Sequence, residues 1–188
     1  SGRTLVTGRF KDGGQASMGP TLYAYAPWEL GDPPPDGAII PSTTLLAYDS
    51  ADDVDPAAGR TLRGYEHSDQ WPAAAWIVAD ERAALVFAGT KGIAEERETW
   101  YGFADGGDAY ATPPTNLPDN EKGWWSDRFE AQVLFYDPAD LALVATGRAE
   151  PSSPQPYAVM PIDDYLFGVG HQQRKDRVAG MAFDPERG

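Results

Sequence analysis

Ala131-Gln132-Val133-Leu134-Phe135-Tyr136-Asp137-Pro138-Ala139-Asp140-Leu141 is the stretch whose reading decides the fold. It is a short apolar run feeding an Asp-Pro pair, which predicts a strand ending in a turn. Two further stretches share the order apolar residues, aromatic, Asp: Thr44 to Asp52 through Tyr48-Asp49, and Val178 to Glu186 through Phe183-Asp184. Asp49 and Asp137 lie 88 positions apart, two steps of 44, and Asp137 and Asp184 lie 47 apart. A spacing in the mid-forties is the period of four-stranded sheets that each need a neighbour to cover a face.

Outward from that stretch, strands dominate. Ala73-Ala74-Ala75-Trp76-Ile77-Val78 and Ala83-Ala84-Leu85-Val86-Phe87-Ala88 flank Ala79-Asp80-Glu81-Arg82, two apolar runs of equal length around a polar turn, and predict a hairpin. The alanines alone would permit helix; the turn decides for strands. Gly89-Thr90-Lys91-Gly92 reads as punctuation, Thr99 to Phe103 as a third strand, and 104–126, with its glycines and prolines, as a long loop. With Ala131 to Tyr136 as the fourth, Ala73 to Tyr136 holds one blade with an insertion. Towards the start, Thr4 to Phe10 and Thr21 to Ala26 predict strands, the second placing Leu22, Ala24 and Ala26 on one face and Tyr23 and Tyr25 on the other. Pro33-Pro34-Pro35 bars helix and central strand, and 39–40 and 43–48 follow as strand material. Leu141 to Ala145 fits one helical turn or a strand edge. Tyr157 to Met160, Tyr165 to Val169 and Val178 to Phe183 predict the start of another blade.

A length of 188 residues fits one domain, 1–188, large enough to bury a core without disulfide or metal. There is no cysteine, hence no disulfide scaffold, thiolate metal site or thiol nucleophile. The formal net charge of −14 argues against nucleic acid, whose phosphates need a basic surface. It reads as serving solubility or a salty, extracellular setting rather than a specific cationic partner. No apolar run approaches the ~18 residues of a membrane span, and no signal-peptide pattern is visible. Six tryptophans and nine tyrosines set the chain apart from disordered sequences despite 17 prolines and 20 glycines. The sequence begins Ser1-Gly2-Arg3 and stops at Glu186-Arg187-Gly188, where a hairpin should turn. It therefore reads as a piece of a longer propeller, or as a sheet that another chain or its own first strand completes.

On the three strand-and-Asp segments, above all Val178 to Gly188, the chain resembles bacterial β-propeller proteins of a secreted type. The resemblance implies an all-β fold, a propeller or partial propeller built from four-stranded antiparallel blades with long loops. Neither the Trp-Asp signature of one propeller class nor the regular diglycine of another is present. Propellers host lectins, hydrolases and scaffolds, so this fold leaves the activity open.

Two clusters carry candidate chemistry. Gly123-Trp124-Trp125-Ser126-Asp127-Arg128-Phe129-Glu130 joins paired indoles to carboxylates and a guanidinium, a set suited to stacking on a sugar ring while binding its hydroxyls. Tyr65-Glu66-His67-Ser68-Asp69-Gln70-Trp71 precedes a strand, where propeller loops reach the ligand face. Candidate ligand-binding residues are His67, Asp69, Trp71, Trp124, Trp125, Asp127 and Arg128. The plainer reading is that the tryptophans cap a sheet edge and Asp127 pairs with Arg128. Asp69, Asp127 and Glu130 are candidates for the acid and base of a glycoside hydrolase, whose two carboxyls stand ~5 to 9.5 Å apart. With 29 acidic residues, such pairs are easy to find. Asp49 to Asp55 has the oxygen density that calcium takes but lacks the spacing and distal Glu of a calcium loop, so a solvated turn is the plainer reading and no cofactor is expected. His171 lies in a polar loop and reads as an exposed side chain. The expectation is a non-catalytic extracellular or cell-envelope binding or assembly module for carbohydrate. The alternatives are a glycoside hydrolase and a structural repeat pairing with another chain.

Overall fold

Trp76 faces Leu85 across the hairpin that the two alanine-rich runs form, and the pairing continues from Ala73 opposite Ala88 to Ala79 opposite Arg82. In this computed structural model, which describes residues 5–8, 18–49, 60–96, 99–102, 123–168, 175 and 177–184, the chain divides into two compact units. One comprises Ser1–Leu62 with Asp137–Gln155, the other Arg63–Tyr136 with Pro156–Gly188.

The first unit holds β1 (Leu5–Thr7), β2 (Leu22–Tyr25) and β3 (Ser42–Leu46) in an antiparallel sheet ordered β1-β2-β3. The period-two reading of β2 holds: Leu22, Ala24 and Ala26 are buried, while Tyr23 and Tyr25 are half-buried. Residues 9 and 10 of the predicted first strand lie outside the described residues. Gly19, at φ +152°, runs beneath the Tyr48 ring, where a Cβ would meet a ring carbon at 2.3 Å. The Tyr48 hydroxyl donates to the Pro154 carbonyl at 2.7 Å.

Asp137-Pro138 does not make the predicted turn. It starts α1 (Pro138–Ala145), which packs on β3. The chemistry is that of a helix start: the Asp137 carboxylate accepts from the Ala139 N–H at 2.8 Å, and proline occupies the first turn, where its missing N–H costs nothing. Leu141 and Val144, three apart, are buried on one helix face. Gly147 ends the helix at φ +70°, and the Arg148 N–H returns to the Leu143 carbonyl at 2.9 Å.

The second unit is built on a four-stranded antiparallel sheet, β4 (Gln70–Ala79), β5 (Arg82–Ile93), β8 (Arg128–Tyr136) and β9 (Ala158–Pro161), in that spatial order. The β4–β5 turn is tighter than expected, because Ala79 and Arg82 pair and leave only Asp80-Glu81 between them. Asp80 takes φ +53°, a conformation its short polar side chain tolerates. β5 also continues through Gly89-Thr90-Lys91-Gly92 to Ile93. Its two glycines sit where neighbours approach closely, so they do not break the strand. The predicted third strand, here β6 (Trp100–Gly102), leaves the sheet and pairs with β7 (Gly123–Trp125), the tryptophan pair expected in a loop. The third place belongs to β8 and the fourth to β9, so Tyr157 to Met160 completes this sheet and does not begin another.

Both faces of the central strands are apolar. One buries Leu85, Phe87, Leu134 and Tyr136, and the other clusters Ala73, Ala84, Val86, Ala88 and Val133. Side chains of this size contribute about 1.5–3 kcal/mol each when a Val, Leu or Phe leaves water. Val178 and Met181 pack on the alanine-rich face. Their segment, 178–184, has no strand pairing, and of the strand expected from Tyr165 to Val169, Tyr165 closes a 3-10 turn (Asp163–Tyr165) and 166–168 are not strand. The three segments that suggested a repeat are therefore not equivalent. Tyr136 is buried as the last residue of β8 and Tyr48 is buried two residues past β3, whereas Phe183 is half-buried in unpaired chain. The described residues are mostly β, with one helix and no closed ring of blades.

Candidate functional site

The two clusters separated by some sixty positions in the sequence meet at one end of the β4-β5-β8-β9 sheet. There the β4–β5 ladder stops at Gln70 opposite Thr90, while β5 runs on beside β8, with Lys91 opposite Glu130 and Gly92 opposite Phe129. The next β5 donor, the Gly92 N–H, would be orphaned by the end of β4. Asp69 takes it at 2.8 Å through Oδ1, which also accepts from Lys91 Nζ at 2.9 Å. The other oxygen accepts from the Glu66 N–H at 3.2 Å, and the Asp69 N–H donates to the Glu66 carbonyl at 2.9 Å, closing the 66–69 turn. Asp69 is 2% exposed, and burial pushes its carboxyl up to about 6 against the opposing pull of Lys91 and the two backbone donors.

That turn places His67 flat against Trp124, with ring centroids 4.4 Å apart and planes at 24°. Tyr65 meets the His67 ring edge-on at 5.4 Å, and its hydroxyl lies 3.4 Å from Nδ1. Burial raises the Tyr65 phenol well above its usual range, with the charges of Asp69 and Glu66 adding to it. Beneath this shelf runs a line of hydroxyls. Ser68 Oγ and Ser126 Oγ are 2.7 Å apart, Ser126 and Thr99 Oγ1 are 3.1 Å apart, and Thr99 donates to Glu66 Oε2. A carboxylate only accepts, so the single Thr99 proton is committed to Glu66. Thr99 must then accept from Ser126, and Ser126 from Ser68. Gly92 makes room for this line: a Cβ there would lie 2.0 Å from Ser68 Oγ and 2.6 Å from Ser126 Oγ.

Besides Asp69, five of the expected residues do other work. Trp71 and Trp125 are 2% and 1% exposed, so neither can offer a face to a sugar arriving from solvent. Trp125 packs edge-on against Phe129, and Lys175 Nζ stands 3.6 Å from the centre of its ring. Trp71 Nε1 is buried without a hydrogen-bond partner among the described residues. Asp127 accepts from the Glu95 and Glu96 N–H groups at 2.8 Å each, ending the chain beyond β5. Arg128 donates to Glu95 at 2.5 Å and to Glu130, which raise its pKa, and Glu130 also accepts from Gln132 Nε2 at 3.1 Å. All three carboxylates considered for acid–base work thus accept hydrogen bonds from the protein.

Tyr65, Glu66, Ser68, Lys91, Gly92, Thr99 and Ser126 were not among the expected site residues. Lys91 sits in the Gly-Thr-Lys-Gly segment taken for punctuation. The one available signal was a lysine in phase with an apolar strand, which implies a buried carboxylate partner. Residues 50–55 of the calcium-like segment, most of the 104–126 loop, and His171 lie outside the described residues. Asp49 pairs with Arg60 at 2.7 Å. Among the described residues, no three His, Asp or Glu side chains are grouped to hold a metal ion, and no helix is long and apolar enough to cross a membrane. The fold and site define a mostly-β chain with a polar-aromatic cluster at a sheet end. No family model matches it, nor does any curated protein or solved structure.

Proposed function

We propose that this chain is a non-catalytic binding module of the extracellular space or cell envelope, and that it takes carbohydrate at the Tyr65–His67–Trp124 shelf. The observation that carries this is the half-buried Trp124, held flat against His67 beside a line of oriented hydroxyls ending on Glu66. Indole with adjacent fixed polar groups is what an apolar sugar face and its ring of hydroxyls require. The glycoside hydrolase reading, with Asp69, Asp127 and Glu130, has less support, since each of them is engaged in hydrogen bonds that hold the backbone or Arg128 in place. The β4-β5-β8-β9 meander has the connectivity of a propeller blade, which supports a blade-type architecture for this unit.

The test is a fluorescence titration of the chain with oligosaccharides. Binding that quenches tryptophan emission, and that weakens at least tenfold in Trp124→Ala while the exposed Trp76→Ala binds normally, supports the proposal. Absence of binding to every oligosaccharide refutes it, and release of reducing sugar would favour the hydrolase.

A further inference from the structure

Glu66 was no part of the expected site, yet its carboxylate is the best prepared group in it. One oxygen, Oε2, is occupied by Thr99. The other, Oε1, carries no hydrogen bond among the described residues, although the side chain is only half-buried. Behind Thr99 stand Ser126 and Ser68, 0% and 1% exposed, so neither hydroxyl can turn to water. Because the three protons must all run one way, towards Glu66, the carboxylate is fixed in orientation from within the protein. The residue also follows Tyr65 and precedes His67, so it borders the aromatic shelf.

The nearby strand cations are committed within the protein. Lys91 is committed to Asp69 and the Gly92 carbonyl, Arg128 to Glu95 and Glu130, and Lys175 stands over the buried Trp125 ring. No cation among these is left to receive an anionic ligand group, while an oriented carboxylate oxygen awaits a donor.

We infer that Glu66 is the specificity-determining residue of this site, accepting hydrogen bonds from a ligand through Oε1, and that the site selects amine-bearing or neutral sugars and rejects acidic ones. This rests on the carbohydrate reading and goes further by naming the class. An ammonium gains a charge-assisted bond, a hydroxyl pair gains an ordinary one, and a uronate meets repulsion.

The experiment titrates the wild-type chain and its variants with chitosan, cellulose and polygalacturonate oligomers of equal length, following tryptophan emission. The expected order is chitosan tightest, then cellulose, with polygalacturonate at least tenfold weaker than cellulose. Glu66→Gln should lose at least tenfold for chitosan and less than threefold for cellulose. Thr99→Val, which leaves the Glu66 charge in place but unties it, should weaken both, and Thr99→Ser should restore them. Melting temperatures of the variants identify any that fail to fold, and the wild-type order alone then still decides. Cellulose binding with no discrimination among the three oligomers, or with Glu66→Gln unchanged for chitosan, overturns the inference while leaving the carbohydrate reading intact. Quenching by none of the three overturns the inference, and absence of binding to every oligosaccharide overturns both.

Discussion

Replacing Gly92 by alanine tests whether the site is as closely built as its distances imply. The new methyl would stand 2.0 Å from Ser68 Oγ, 2.6 Å from Ser126 Oγ and 3.2 Å from Ser126 Cβ. All three distances are tight for a carbon, and the first two are too short to persist. Both serines are buried, so the hydroxyls cannot swing into solvent and their 2.7 Å bond must break. A buried hydroxyl left without a partner costs about 1–3 kcal/mol, and forcing a methyl into a filled space costs about 1–3 kcal/mol more. The expected loss is about 4 kcal/mol, a fall in Tm of roughly 8–16 °C for a chain of this size. Urea unfolding followed by tryptophan emission measures it. Ser68→Ala removes the nearest obstacle, so the double variant Gly92→Ala/Ser68→Ala should recover about 2 kcal/mol relative to Gly92→Ala, a coupling within the range seen for touching residues. A Gly92→Ala variant within about 1 kcal/mol of wild type, or a double variant no more stable than Gly92→Ala, would refute the close packing of Gly92 against the two serines.

Lys91→Met leaves the Asp69 carboxylate buried without its cation and should cost about 3–5 kcal/mol, whereas Asp69→Asn/Lys91→Met should fall within about 1–2 kcal/mol of wild type by urea unfolding. The pH dependence follows from the raised Asp69 carboxyl. The folded chain binds a proton that the unfolded chain, near its ordinary 3.8, has already released, so this group's contribution is complete below about 4 and is lost as pH rises through about 6. The change is about 3 kcal/mol, and unfolding curves between pH 4 and 7 should lose that slope in Asp69→Asn. Asp137→Ala removes the helix cap and should cost about 1 kcal/mol in thermal unfolding, while Asp137→Asn should cost less.

The central hairpin was legible because two equal apolar runs around a polar turn leave a strand pair the simplest way to bury both. Leu22, Ala24 and Ala26 were legible for the same reason, as period two survives in a strand with one face covered. Asp137-Pro138 misled because the pair suits a turn and a helix start equally well; what separates them is the good helix-forming run Ala139 to Ala145 that follows. The Phe183 segment misled because an apolar stretch can cover a sheet as readily as join one, and periodicity does not report which. Within the site, Trp71 and Trp125 were named for their chemistry, but an indole's use depends on whether its face reaches solvent, a property of the packed sheet. His67 and Trp124 were each identified, but their stacking follows from the 66–69 turn, which depends on Asp69 reaching a strand more than twenty positions later.

One physical theme accounts for most of the carboxylates that looked catalytic. At the sheet end where β5 outruns β4, the Gly92 N–H is taken by Asp69. Where the β8–β9 ladder stops at Gln132 opposite Pro161, the Ala131 N–H is taken by Asp163 at 3.1 Å, which Arg177 in turn holds at 2.8 Å. Beyond β5, the Glu95 and Glu96 N–H groups are taken by Asp127. An N–H left over when a strand ends must find an acceptor or face water. Aspartate is short enough to stand in for the missing strand, so three of them close one end of one sheet. Glu66 differs from these three in its partner: its side chain accepts from a threonine hydroxyl instead of a backbone N–H. A carboxylate that completes no ladder, yet is anchored through two buried serines, is the group on which the proposed carbohydrate selectivity rests.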